Sequence, residues 1–535
     1  MVSTHDLPTL KGFWGGDDIA IQQSLGWLGD SDAQVRAQLA RAQDRTHLLA
    51  ALDAQGLLPP GVTLDAQTAP EMTPALAAAV HAFLARTPCW LLGVQLEDLT
   101  GQREQLNVPG TTEDRYPNWR QRMAVPLELL GSDPYFEANS QAVGGARRPA
   151  LAAQSAELQP LSSADVPGAT YRMQLNQGFT FAQATAVVPY LHELGVSHLY
   201  TSPYLKAAAG SMHGYDVVDP TLLNPEIGTE AEHAALCQAL AERGMGQVLD
   251  IVPNHMGVND PANRWWQDML EHGEASPHAA TFDIEWQPAN PQTGRRVLLP
   301  VLGDHYGKLL EAGELQLRFD AAQGRLQVGY WDHAFPLDPR SYAQVLGAVA
   351  MPAAAPAGEL AEMASLVDAL GQLPPQANDD PQQRAARLRD APLYQRRLAD
   401  LAQAHPWVPD WVQACLARAN GHKGDAASFD LLDAVLQAQA YRLADWRVAG
   451  DDINYRRFFD INALAAIRME APEVFEAVHA LPLRWLAEGK VTGLRIDHPD
   501  GLADPARYFE RLQQRHAAQR QARGQPPQAL YLVVE

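Results

Sequence analysis

From residue 169 onward, short apolar runs alternate with amphipathic stretches in the rhythm of strand followed by helix. Ala169 to Leu175 is strand-like, and Phe181 to Leu194 places Ala184, Val187, Val188, Leu191 and Leu194 at helical spacing. Val196 to Thr201 predicts a second strand, Glu230 to Arg243 a helix, and Gln247 to Val252 a third strand that runs into Pro253-Asn254-His255. The rhythm breaks from about 257 to 485, resumes with an apolar strand from Val491 to Ile496, and closes on Ala529 to Glu535, a buried-strand pattern that stops on an acid. Strands separated by helices of this length imply a parallel sheet with its polar clusters at the C-terminal ends of the strands. The 257–485 segment reads as a large, mostly helical insertion after the third strand.

Two stretches lack hydrophobic periodicity. Residues 136–168, with Gly144-Gly145, Pro149, Pro160 and Ser162-Ser163 amid Ala and Gln, have the composition of a linker. Residues 349–392, rich in Ala, Pro and Gln, predict an exposed excursion carrying short helices such as 359–370. The expected organisation is therefore an N-terminal block at 1–135, a linker at 136–168, the first part of the sheet at 169–256, the inserted subdomain at 257–485 and the continuation of the sheet at 486–535.

Composition narrows the partners. The chain has 535 residues, 46% of them hydrophobic and 19% charged, which is enough to bury more than one core. A formal net charge of -22 without a compensating basic stripe argues against nucleic acid and against an anionic membrane surface. No apolar run approaches the roughly 18 residues of a membrane span, and the start, Met1 to Asp6, has no basic or apolar leader pattern. Cys89, Cys237 and Cys415 are odd in number and far apart, which suggests neither a disulfide framework nor a zinc site and fits a reducing cytoplasm.

The chemistry-bearing pattern is a pair of acids at the ends of successive strands. Asp497 closes Gly493-Leu494-Arg495-Ile496-Asp497-His498, and Glu535 closes the last run. A nucleophile and a general acid/base roughly 5 Å apart are what retaining glycoside chemistry requires. Asp250-Ile-Val-Pro-Asn254-His255, the Arg495 to His498 stretch and Tyr531-Leu-Val-Val-Glu535 resemble the first three signature regions of the α-amylase superfamily, in order and each at a strand end. Further stretches narrow the resemblance to the maltooligosyltrehalose synthase family over about 165–535: Tyr171-Arg-Met-Gln-Leu, Gly210-Ser-Met-His213-Gly-Tyr215-Asp-Val-Val-Asp219, Ile453-Asn-Tyr-Arg-Arg-Phe-Phe-Asp460 and Leu494 to Gly501. That resemblance implies a (β/α)8 TIM-barrel type fold, incomplete here. It also implies an enzyme that isomerises the reducing-end linkage of α-1,4-glucans to α,α-1,1, with no organic cofactor.

In the roles so implied, Asp497 is the nucleophile, Arg495 keeps it ionised and oriented, and Glu535 is the acid and then the base. Tyr215 stacks on the sugar beside the cleaved bond, with His213 in the same motif. Asp250, His255 and His498 bond its hydroxyls or other site residues. Asp250 is equally readable as a buried partner of Arg495, and the two histidines as satisfied strand-end groups. Asn254 is a calcium ligand or a structural hydrogen-bonding group, with no acidic cluster to favour calcium. Trp265 and Trp266 are a sugar platform or core.

The N-terminal block carries Thr4-His5-Asp6-Leu-Pro8-Thr9, Gly12-Phe13-Trp14, Gln95 to Leu99 and Tyr116-Pro-Asn-Trp119. These resemble the C-terminal part of 4-α-glucanotransferases, which makes Asp6 the counterpart of a transition-state-stabilising carboxylate, either working or a relic. A glucanotransferase and a catalytically silent glucan-binding module are the alternatives to the isomerase. A terminal strand with nothing paired on its far side frays, so poor solubility or slow turnover is expected of a chain ending at Glu535.

Overall fold

The computed structural model describes residues 6–29, 31–87, 92–112, 114–146, 158–159, 161, 166–288 and 294–535. The chain divides into two compact units, Met1–Pro160 with Glu535, and Leu161–Val534. His5 and Cys89 lie outside the described residues.

The first unit is helical in its described parts. Thr9 caps the helix Leu10–Gly15 by accepting from the Gly12 amide, and Thr73 caps Pro74–Ala85, which begins on a proline suited to a first turn. Together with Ser31–Ala54 these helices enclose Trp14, Leu49, Leu52, Leu76 and Val80. The buried Asp98 side chain accepts from the Leu10 amide at 2.7 Å and so ties the first helix to a segment 88 residues away. The stretch expected to be linker from 136 instead continues the helix Pro134–Ala146, in which Asn139 is fully buried and Tyr135 packs on the core. Its small and polar residues hide the helical period because only a few of them meet the core.

In the second unit, five strands form one parallel sheet in chain order: β1 (Thr170–Met173), β2 (His198–Thr201), β3 (Gly246–Ile251), β4 (Gly493–Ile496) and β5 (Tyr531–Val534). Each pairs with its successor, with Thr201 opposite Leu249, Arg495 opposite Asp250 and Ile496 opposite Val534. The helices Phe181–Glu193, Glu230–Ala241 and Pro505–Ala522 make the crossovers, and Pro472–Ala487 leads into β4. Capping boxes at Thr180/Gln183 and Thr229/Glu232 start the first two. This is the succession of the first five strands of a (β/α)8 barrel, as expected.

Between β3 and Pro472–Ala487 lies the insertion. Beside its helices it carries, among the described residues, three small sheets. A three-stranded antiparallel sheet joins His255–Gly257, just past β3, to Arg457–Phe458 and Ile461–Ala466. A parallel pair, Val297–Leu302 with Tyr441–Asp445, and an antiparallel meander from Gln316 to Pro336 complete the set. The short helix expected at 359–370 is present as Ala357–Gly371, but the 349–392 stretch is not wholly exposed: that helix buries Met363, Leu366 and Leu370, and the start of Pro381–Ala404 buries Arg387 and Ala391. Three or four apolar residues at helical spacing suffice to seat a helix against the core, even where the surrounding Ala and Gln make the stretch read as exposed.

His479, fully buried in Pro472–Ala487, faces the Phe475 carbonyl at 2.8 Å and the Tyr508 hydroxyl of Pro505–Ala522 at 2.8 Å, joining the helices on either side of β4. Burial pushes its imidazole down to about 4 from an ordinary 6.5. The unfolded chain takes up this proton below about pH 6.5 and the folded chain only near 4, so the stability contribution is complete above 6.5 and is lost as pH falls toward 4. The urea midpoint should drop over that interval by the equivalent of about 1.4 kcal/mol per pH unit for this group, and His479→Gln should flatten the dependence. An identical slope in wild type and variant would contradict this.

Candidate active site

The sheet buries the carboxylate of Asp250 deeply near the ends of its strands. Asp250, the fifth residue of β3, is 1% exposed in a strand whose other buried positions are Gln247, Val248, Leu249 and Ile251. Such a group is tolerated only when its oxygens are fully paired. Arg495, its register partner on β4, donates through Nη1 to Oδ1 at 2.9 Å and Oδ2 at 3.1 Å. The hydroxyls of Tyr215 and Tyr200 donate to Oδ2 at 2.6 and 3.2 Å. Burial pushes the Asp250 carboxyl above its usual range, while Arg495 and the Tyr215 hydroxyl pull it back. Burial also raises both phenols, with Asp250 adding to the effect, so they stay protonated donors.

The same Arg495 nitrogen donates to Asp497 Oδ1 at 2.7 Å. One guanidinium thus bridges a buried carboxylate and a second one at the strand end that is 8% exposed. Charge-assisted bonds of this kind fix orientation and favour the ionised acid. Glu535 is the residue after Val534, which the β4–β5 register sets opposite Ile496, the residue before Asp497.

The next residue, His498, adopts a left-handed backbone with φ of 47°, uncommon for a residue with a side chain, and opens the short turn Pro499–Gly501. Its ring meets Phe458 and Phe459 at 4.8 and 5.2 Å, and Phe458 in turn lies 4.4 Å from His255. Burial, with a smaller contribution from His498, pushes His255 down to about 3, so it is neutral. Gly501 is required by close approach: a Cβ there would sit 2.5 Å from Asn254 Oδ1 and 2.7 Å from the His498 ring.

Asn254 serves hydrogen bonding. Its Oδ1 accepts from Arg456 Nη1 at 3.0 Å, and the same nitrogen reaches the Gly501 carbonyl while Nε binds Asp283 at 2.8 Å. A guanidinium therefore takes the oxygen a calcium ion would need. Among the described residues, Asp304, His305 and Asp445 also cluster as potential metal ligands, but Lys308 donates to Asp304 and Arg447 pairs with Asp445 at 2.6 Å.

The structure thus brings Tyr215, Asp250, Arg495 and Asp497 into one network, with His255 and His498 joined through Phe458. His213 accepts from the Tyr215 amide at 3.1 Å and is half exposed. Gly214, with φ of 83°, makes the tight turn between them. Trp265 stacks on His278 with centroids 5.1 Å apart, and Trp266 is core, edge-on to Phe282 at 4.8 Å. Asp6, in the first unit, accepts from Asn107 Nδ2 at 2.6 Å. Arg172, Tyr200, Arg456 and Phe458 had no assigned role; three of the four lie inside stretches that carry the family resemblance.

Two family models match the chain: 4-alpha-glucanotransferase over residues 1–128 and the alpha amylase catalytic domain over residues 183–295. The chain is 34% identical over 353 residues to a putative maltooligosyl trehalose synthase of Mycobacterium tuberculosis, covering 64% of this chain and 32% of that protein. It is 41% identical over 126 residues to a 4-alpha-glucanotransferase of Mycobacterium bovis, covering 24% of this chain and 16% of that protein. A solved maltooligosyltrehalose synthase from Arthrobacter ramosus aligns with a TM-score of 0.45 and 34% identity over 69% of this chain and 34% of its own. The chain spans about a third of the length of the trehalose-synthase relatives it matches. It joins a segment similar to them to one similar to 4-alpha-glucanotransferases, as the motifs led one to expect.

Because Arg456 already satisfies Asn254, chelation by EDTA should shift the thermal midpoint by less than about 2 °C, whereas Arg456→Met should lower it by more than that. A large chelator effect with a silent Arg456→Met would restore a metal to this position.

Proposed function

We propose that the residues at and just beyond the ends of the parallel strands β3 to β5 form the site of a retaining, intramolecular transglucosylation on α-1,4-glucans that converts the reducing-end linkage to α,α-1,1. The single observation that carries this reading is the shared guanidinium of Arg495, which orients Asp497 from the buried Asp250 at the ends of adjacent parallel strands. Asp497 attacks the anomeric carbon, the bond to the 4-oxygen of the terminal glucose breaks, and Glu535 protonates that oxygen. The released glucose turns over, Glu535 takes the proton of its 1-hydroxyl, and the new carbon–oxygen bond displaces Asp497. No water is consumed, so the site must exclude it. Tyr215, His498 and the rings of Phe458 and Phe459, with the buried His255 packed behind Phe458, supply an aromatic and hydrogen-bonding surface suited to a sugar.

The alternative of 4-α-glucanotransferase activity is favoured by one observation, the family match over residues 1–128. No helix among the described residues is long and apolar enough to cross a membrane. Cys237 and Cys415 are free thiols, consistent with the reducing cytoplasm we assign to the reaction.

Maltopentaose distinguishes the readings. The expected product is non-reducing and trehalosyl-terminated, formed without free glucose. Asp497→Asn should lower whatever rate the chain shows by about 1000-fold or more. A ladder of longer and shorter maltodextrins would favour disproportionation, binding without turnover a silent module, and activity in Asp497→Asn within tenfold of wild type would remove the nucleophile assignment.

A further inference from the structure

We infer that Arg172 is a positioning residue of this site, one that sets the direction of the Tyr215 hydroxyl proton and thereby leaves Arg495 available to Asp497. Arg172 lies on β1, two strands from Asp250, and its Nη2 donates to the Tyr215 hydroxyl at 2.7 Å. A guanidinium has no acceptor. The Tyr215 oxygen must therefore accept from Arg172, and its single proton points to Asp250 Oδ2, 2.6 Å away. The Arg172 head is itself 3.9 Å from that oxygen and lies over the Tyr200 ring, 4.6 Å from its centroid, while the Tyr200 hydroxyl is the third group at Oδ2. Arg172 thus gathers the donors on one oxygen of Asp250.

Arg495 has to serve two acids. Its Nη1 is 2.9 and 3.1 Å from the Asp250 oxygens and 2.7 Å from Asp497 Oδ1. With Oδ2 supplied by the tyrosines, the demand of Asp250 on Arg495 is shared. Without Arg172, the Tyr215 hydroxyl is released to turn, and Asp250, still buried, draws more heavily on Arg495 at the expense of Asp497. The Arg172 side chain is 35% exposed, so its ion pair with Asp250 is solvent-screened and its removal acts on orientation far more than on folding.

This inference rests on the reading of Asp497 as nucleophile. The test is a double-mutant cycle in the full chain, with Arg172→Met, Tyr215→Phe and their combination, following maltopentaose turnover and, by intrinsic fluorescence, maltopentaose affinity. Arg172→Met should lower kcat by about 10-fold while affinity stays within about 3-fold, and in the Tyr215→Phe background it should change kcat by less than about 2-fold. Arg172→Lys, which keeps charge and a donor, should recover part of the loss. Additive losses, or a kcat unchanged by Arg172→Met, would overturn the positioning role while leaving the proposed reaction standing. A wild-type chain with no turnover would remove the proposed reaction and this inference with it.

Discussion

The site depends on one constraint: the carboxylate of Asp250, 1% exposed within a parallel sheet, has to be matched by a cation across the neighbouring strand. Removing one partner of such a buried pair typically costs about 3–5 kcal/mol. The β3–β4 register that sets Asp250 opposite Arg495 is accordingly pinned by charge as well as by apolar packing. Asp497 follows Arg495 by two residues and so projects from the same strand end within reach of the same guanidinium. The orientation of the strand-end acid is in this way a by-product of the pairing that keeps the sheet in register.

The insertion completes what the sheet begins. It leaves directly from β3 through His255–Gly257 and returns with Ile461–Ala466 paired antiparallel to that same strand. The return places Arg456 between Asn254, Asp283 and the Gly501 carbonyl, and sets Phe458 between His255 and His498. Loops after β3 and β4 are thereby tied to each other through a covalently attached cation and an aromatic ring. A fixed side chain needs no recruitment from solution, and its charge is delocalised over a planar fork that reaches three acceptors at once.

Legibility tracked local periodicity. The five strands and the first two crossover helices follow from runs such as Gln247 to Val252 and Phe181 to Leu194, where burial on one or both faces writes itself into consecutive residues; the third crossover helix, Pro505–Ala522, was not expected. Asp497, Arg495 and Asp250 were recognisable because their motifs sit at strand ends and resemble α-amylase signature regions, and Tyr215 because the stretch around it carries the family resemblance. Arg172 and Tyr200 were not singled out: their roles arise from convergence of β1, β2 and the loop after β2 on one carboxylate, and each is ordinary in its own segment. Arg456 was equally silent, since its three acceptors lie 202, 173 and 45 residues away. The helix Pro134–Ala146 was missed for a different reason, its apolar face being only a few residues wide amid Ala, Gly and Gln, and the helix expected at 359–370 was found as Ala357–Gly371 but with more of its face buried than an exposed excursion allows.

The central claim is that Asp497, oriented by the Asp250–Arg495 pair, forms the bond to the glucosyl carbon. It is tested most directly by trapping that bond. A ring-fluorinated α-glucosyl fluoride that forms the ester quickly, expelling the anomeric fluoride, and releases it slowly should add one fluoroglucosyl mass to the protein, and peptide mapping should place it on Asp497. The adduct should be absent from Asp497→Asn and form more slowly in Arg495→Lys. An adduct on another residue, or undiminished labelling of Asp497→Asn, would contradict the account.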